Sequence, residues 1–152
     1  MSFMVIVIVI VCIIGAFLYY ASAPIRKERK ETIEVAEKYA GLEKPDTFYF
    51  YDTNQTYYTI SGQNKNHEEI LVTVPKDGDD IRVVQQKQGV TEQEIINQMH
   101  EKYKPYKISK IAFGYQKNVP VWEVTVMNKN DSLSYYTFRF DNGKLYNKIK
   151  NF

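Results

Sequence analysis

Residues 121–145 read VWEVTVMNKNDSLSYYTFRFDNGKL, and the fold class is decided there. Trp122, Val124 and Val126 alternate with Glu123 and Thr125, which is the two-residue period of a half-buried antiparallel strand. Tyr136, Phe138 and Phe140 repeat that period. The Asn142-Gly143 pair behind them signals a hairpin leading into a further strand over 144–149. Upstream, Ile111, Phe113 and Tyr115 alternate in the same way. A helix precedes these strands. Thr91 and Glu94 form a T-x-x-E capping box, Ile95, Ile96 and Met99 share its apolar side, and Pro105 ends it.

The same order of elements is already present further upstream. Residues 24–40 are patterned as a helix, with Ile33, Ala36 and Ala40 on one face and Gly41 as a C′ stop. Strand-like runs rich in β-branched and aromatic residues follow at 47–51, 55–60, 70–74 and 81–85. Turn chemistry separates them at 61–66 (SGQNKN) and 75–80 (PKDGDD). A shift of 64 residues lays Asn64-Lys65-Asn66 on Asn128-Lys129-Asn130, Asp77 on Asp141 and Ile81 on Leu145. An internal duplication is therefore expected, each copy a helix on a short antiparallel sheet that would be marginal alone.

The remaining segment is of another kind. Residues 3–20, FMVIVIVIVCIIGAFLYY, contain no charge. At a helical rise of 1.5 Å per residue they span about 27 Å, against roughly 30 Å for a bilayer core. Tyr19 and Tyr20 suit an interfacial belt. Ala21-Ser22-Ala23 fits the small-x-small pattern of a signal-peptidase site, but Pro24 would follow the cut, and retention of the segment is expected. Arg26, Lys27, Arg29 and Lys30 come next, with little apolar stripe among them, and suit a stalk at the membrane surface touching anionic headgroups. The expected organisation is α+β, an N-terminal transmembrane helix followed by two tandem helix-on-antiparallel-sheet units. Its parts are a signal anchor (1–22), a charged juxtamembrane stalk (23–32) and two units over 33–88 and 89–152.

Charge and chemistry exclude several classes. The net charge of +2 comes from the 26–30 cluster, and the rest carries 16 basic against 17 acidic residues. Such a balance offers no footprint for nucleic acid. The one cysteine, Cys12, lies in the apolar run, so the two units hold neither a disulfide nor a thiolate ligand. His67 beside Glu68 and Glu69 lacks a second histidine, and His100 lacks a visible catalytic partner. Asp77, Asp79 and Asp80 form an acidic turn without the spaced glutamate of an EF-hand. Neither a nucleophile elbow nor a phosphate loop is present. We expect no catalytic, cofactor-binding or metal-binding residues and no enzyme activity. Trp122 suits core packing, with an interface anchor as the alternative reading. Tyr49, Tyr51 and Tyr57 lie on strands where alternate residues must face out, and are the candidate protein-interface residues.

Val121 to Val126 together with residues 135–145 resemble a PepSY-type domain (PepSY/cystatin-like), whose motif falls on Trp122, Asp141, Gly143 and Leu145. Each of these also has a structural reason to be there. With one N-terminal span and a weaker copy upstream, the chain resembles over its length the TseB-like (YpmB) cell-wall elongation regulators of Gram-positive bacteria. That resemblance implies a single-pass protein of the cell membrane with an extracytoplasmic C-terminal part, acting without chemistry on a penicillin-binding protein or another envelope protein. The positive-inside rule argues for the opposite orientation, because the basic cluster follows the span. The alternatives are a PepSY-type modulator of a peptidase and a sensor of a cell-envelope ligand.

Overall fold

Two four-stranded antiparallel sheets follow one long helical rod, and the seam between the sheets holds most of the large buried side chains. The computed structural model describes residues 2–78 and 80–150; Met1, Asp79 of the acidic turn, and the last two residues lie outside it. Helix α1 (Ser2–Ala21) has an apolar stretch, Met4–Ala21, long enough to cross a membrane, none of it buried against the rest of the chain. Helix α2 (Ala23–Ala40) continues almost in line. Helical bonds cross the junction, Ser22 N donating to the Leu18 carbonyl (3.1 Å) and Arg26 N to the Ser22 carbonyl (3.2 Å). Pro24, in the first turn of α2, has no N–H to lose there. Gly41 adopts the left-handed conformation expected of a C′ residue (φ 65°) and stops the helix.

The stalk and the core helix are thus one element. Packing begins at Thr32, which is buried, and Ala36 sits on Leu42, Ile60, Ile70 and Val72. The first sheet has the order β1 (Leu42–Asp52), β2 (Thr56–Asn64), β3 (Glu69–Pro75), β4 (Arg82–Gln85). β1 begins five residues earlier than the sequence pattern suggests. Two register irregularities let it run past Pro45, and as an edge strand it can spare the missing donor.

A 3₁₀ turn (Gln86–Gln88) leads to α3 (Glu92–Gln98), whose capping box forms as expected: Glu94 N donates to Thr91 Oγ1 and Thr91 N to Glu94 Oε2. The helix then widens into a π turn (Met99–Tyr103) and ends at Lys104 in the left-handed region. The second sheet has the order β5 (Lys107–Gln116), β6 (Val119–Met127), β7 (Leu133–Arg139), β8 (Leu145–Lys150). Phe140, expected in β7, leaves the ladder. Its N–H donates to the Pro120 carbonyl (2.9 Å), its carbonyl accepts from Val90 N (2.8 Å), and its ring packs edge-on against Phe113.

The duplication is visible in the backbone. In the β2–β3 loop Asn64 N donates to the Glu68 carbonyl and His67 N to the Asn64 carbonyl, both at 3.0 Å. In the β6–β7 loop Asn128 N donates to the Ser132 carbonyl (2.8 Å) and Asp131 N to the Asn128 carbonyl (3.1 Å). His67 and Asp131, one repeat apart, both have positive φ, 59° and 62°. The repeated Asn therefore starts the same turn twice.

The units meet where β5 crosses the tyrosine-bearing face of the first sheet. Tyr51, with no exposed surface, lies so close to Gly114 that an added Cβ there would stand 2.5 Å from its ring. Tyr49 meets Trp122 edge-on, ring centroids 5.3 Å apart, and Tyr57 meets Tyr115 at 5.9 Å. Polar bonds fix the register: Thr59 Oγ1 donates to the Phe113 carbonyl (3.1 Å), and Gln116 Nε2 donates to Tyr51 Oη (2.8 Å). Gly114→Ala should therefore destabilise the chain by about 1–3 kcal/mol, the usual cost of overpacking a full core. The urea midpoint of the full chain in detergent micelles checks this, and an unchanged midpoint would mean that the seam yields.

Candidate functional site

Tyr49, Tyr51 and Tyr57, the candidate protein-interface residues, are all buried in the seam. The strand pattern leaves open which face of the first sheet is outward, and β5 and Trp122 cover the face that carries these rings. Tyr49 Oη donates to Glu92 Oε2 on α3 at 2.5 Å. Burial, reinforced by that carboxylate, pushes the phenol well above its ordinary value. Tyr51 is raised by burial as well, and Tyr115, chiefly by burial, reaches about 12. These phenols stay neutral and pack the seam, Tyr49 donating to Glu92 and Tyr51 accepting from Gln116.

The four motif residues have separate surroundings. Trp122 is buried against Phe113, ring centroids 4.9 Å apart, and its indole N–H donates to the Val90 carbonyl (2.9 Å). Asp141 accepts both guanidinium bonds of Arg139, at 3.0 and 2.7 Å, and its carboxyl is held below its ordinary value chiefly by that contact. Gly143 has φ 66°, donates to the Arg139 carbonyl (2.9 Å) and accepts from Gln98 Nε2 (3.1 Å). Leu145, at the start of β8, is 40% exposed. Of the cations expected at a membrane surface, Arg26 reaches back to the Tyr19 carbonyl (2.7 Å) and lies 4.2 Å over the Tyr19 ring. It thereby satisfies a carbonyl at the C-terminal end of α1, where the helix dipole favours positive charge. Lys27 and Lys30 pair with Glu31 (3.6 Å) and Glu34 (3.7 Å).

His67 and His100 are both exposed, and no group of three or more His, Cys, Asp or Glu side chains among the described residues is placed to hold a metal. Glu68 is instead a loop organiser. It accepts from Asn64, Gln85 and Lys87, and the first of these contributes most to holding its carboxyl below the ordinary value. Asp80 pairs with Arg82 (2.7 Å), whose guanidinium also bonds Asn118 (3.0 Å) and covers the Tyr115 ring (4.6 Å), tying the β5–β6 turn to the first unit.

The strand alternation misplaces Glu123 and Thr125, of which Glu123 carries the charge. Alternation on β6 assigns it to a solvated face, yet all of residues 121–126 are buried. The β1–β2 hairpin of the first unit overhangs that face. A cleft of about 530 Å³ remains between them, with Thr53, Asn54 and Gln55 on one side and Glu123 and Thr137 on the other. Burial lifts the Glu123 carboxyl above its ordinary value, and the charge of Lys110 opposes the shift without cancelling it. Glu123 is flanked in its own sheet by Ala112 and Thr137, and the first unit adds the opposite side of the cleft, a contact that the local strand pattern does not report.

A raised carboxyl pKa means that the folded chain holds the proton more tightly than the unfolded one. The stability Glu123 contributes is then full below its ordinary value of 4.5 and is lost as pH rises through the raised value. Glu123→Gln should melt a few degrees higher than the parent at neutral pH, with the difference closing in acid. Thermal unfolding of both proteins across pH 4–8 tests this, and a lower melting point for the variant at neutral pH would refute it.

The class defined by this fold is a protein of two like α+β units, each a helix with a four-stranded antiparallel sheet, set behind an N-terminal apolar helix. Residues 31–75 match the cell wall elongation regulator TseB-like domain. The probable cell wall elongation regulator TseB of Bacillus subtilis (strain 168) is 24% identical over 146 residues, covering 95% of this chain and 91% of that protein. Among solved structures, the YpmB protein from Bacillus subtilis superposes with a TM-score of 0.68 at 24% identity, covering 80% of this chain and 96% of that one, a likeness of fold. The chain is thus similar to TseB-like proteins in sequence, over residues 31–75 to the domain and over most of its length to the Bacillus subtilis relative.

Proposed function

We propose that this protein is a non-enzymatic regulator of cell-wall elongation, held in the cell membrane by α1 with both units on the extracytoplasmic side. The observation that carries the reading is a sequence likeness, running over 95% of the chain, to a protein described as a probable regulator of that process. The fold is compatible with it. A membrane-length apolar helix runs almost unbroken into the helix that packs on the first sheet, so the two units are carried at a defined height above the bilayer. Side-chain bonds and ring contacts across the seam favour one rigid body over two loosely tethered modules, as an adaptor surface requires. Its partner, on this reading, is a penicillin-binding protein, which the module contacts and adjusts without chemistry of its own.

Sidedness is the first test, because the basic residues after the span argue for the reverse orientation. Lys129 is exposed in the β6–β7 loop. Lys129→Cys in a Cys12→Ser background should label with a membrane-impermeant maleimide on intact cells. Labelling that needs lysis would place the units in the cytoplasm and sink the proposal. With the outside orientation established, a photo-crosslinker at the same position should yield an adduct that binds fluorescent penicillin; adducts that never do would remove the penicillin-binding partner.

A further inference from the structure

We propose that the cleft beneath the β1–β2 hairpin is a binding site for an organic ammonium group, a protonated primary amine on a flexible chain, with Glu123 as its counter-ion and tyrosine rings as its walls. The cleft, at about 530 Å³, has the size of a small-ligand site and draws its lining from both units.

Three observations set the chemistry of its occupant. Glu123 is only 9% exposed, and among the described residues no ammonium or guanidinium pairs with it. The cation with most influence on it, Lys110, places its Nζ 4.8 Å over the Phe50 ring. A buried carboxylate without a paired cation is costly, and a ligand cation would relieve that cost. Secondly, Tyr57, Tyr115 and Tyr146 line the same cleft. Aromatic faces attract cations, and the Arg82 guanidinium already lies 4.6 Å over the Tyr115 ring. Thirdly, Tyr57 Oη donates to Gln55 Oε1 (2.8 Å), so its own oxygen lone pairs remain available to an N–H donor.

Lys117 stands in the lining as the one opposing charge, held in a two-residue turn with Asn118 where both have positive φ, 47° and 66°. It disfavours a ligand with a second cation near that end. A lysyl side chain of a polypeptide and a free small amine share the required chemistry.

The test is titration calorimetry on the full chain in nanodiscs with Nα-acetyl-lysine-N-methylamide, which presents the side chain as a polypeptide would. Saturable binding is expected. It should be weakened about tenfold or more by Glu123→Gln, as for loss of a charged hydrogen-bond partner, and strengthened by Lys117→Met. The Nε-acetylated probe should not bind. Equal binding by free lysine would assign the site to small amines, and binding by Nα-acetyl-lysine-N-methylamide but not by free lysine would assign it to a polypeptide side chain. The proposal is overturned if the parent shows no saturable heat up to the solubility of the probe. It is equally overturned if Glu123→Gln, folded by its melting curve, binds as the parent does. Neither result bears on the orientation or on the wall-elongation reading.

Discussion

The contact of Tyr51 with Gly114 is the constraint on which the rest of the structure depends. A tyrosine with no exposed surface needs a neighbour without a side chain, and β5 supplies one at the point where it crosses the first sheet. That crossing brings Tyr49 to Trp122 and Tyr57 to Tyr115, and lets Thr59 bond the Phe113 backbone. Each unit alone is a small sheet with one helix, a size at which an independent core is marginal. Joined, they bury a continuous cluster that runs from Leu71 of β3 to Phe140 behind β7.

The two copies have diverged where they meet other things. Both keep the Asn-initiated turn with a positive-φ residue three places on, because that geometry closes a hairpin regardless of what surrounds it. Their helices differ. α2 is long, carries salt-bridged charges on its outer side and extends the apolar helix α1. α3 is a short capped helix that widens into a π turn, and its Tyr103 ring lies edge-on to Tyr136 and Phe138. The first unit is built to be carried, and the second to anchor the core.

The near-continuity of α1 and α2 matters mechanically. Ser22 and Pro24 could have made a hinge, yet main-chain bonds pass through the junction and Arg26 ties α2 back to Tyr19. Motion of the units relative to α1 therefore has to break hydrogen bonds and does not come free with a flexible linker.

Much of this was legible in the residues. The apolar run, the Thr91–Glu94 cap, the Gly41 stop, the alternating strands and the duplication are local signals, each set by sterics or hydrogen bonding within a few positions, and they specify elements and their order. What the residues could not say is which face of each sheet meets the other unit. A strand pattern distinguishes two faces but is blind to a second sheet arriving from far along the chain. So the tyrosines at 49, 51 and 57 turned inward, and Glu123, polar by pattern, became a buried carboxyl beneath a hairpin that lies some seventy residues before it. Sequence determined the apolar helix, the units and their repetition, because those follow from neighbouring residues. Tertiary structure alone decided the seam and the cleft, because desolvation depends on everything that packs nearby and not on the order of the chain.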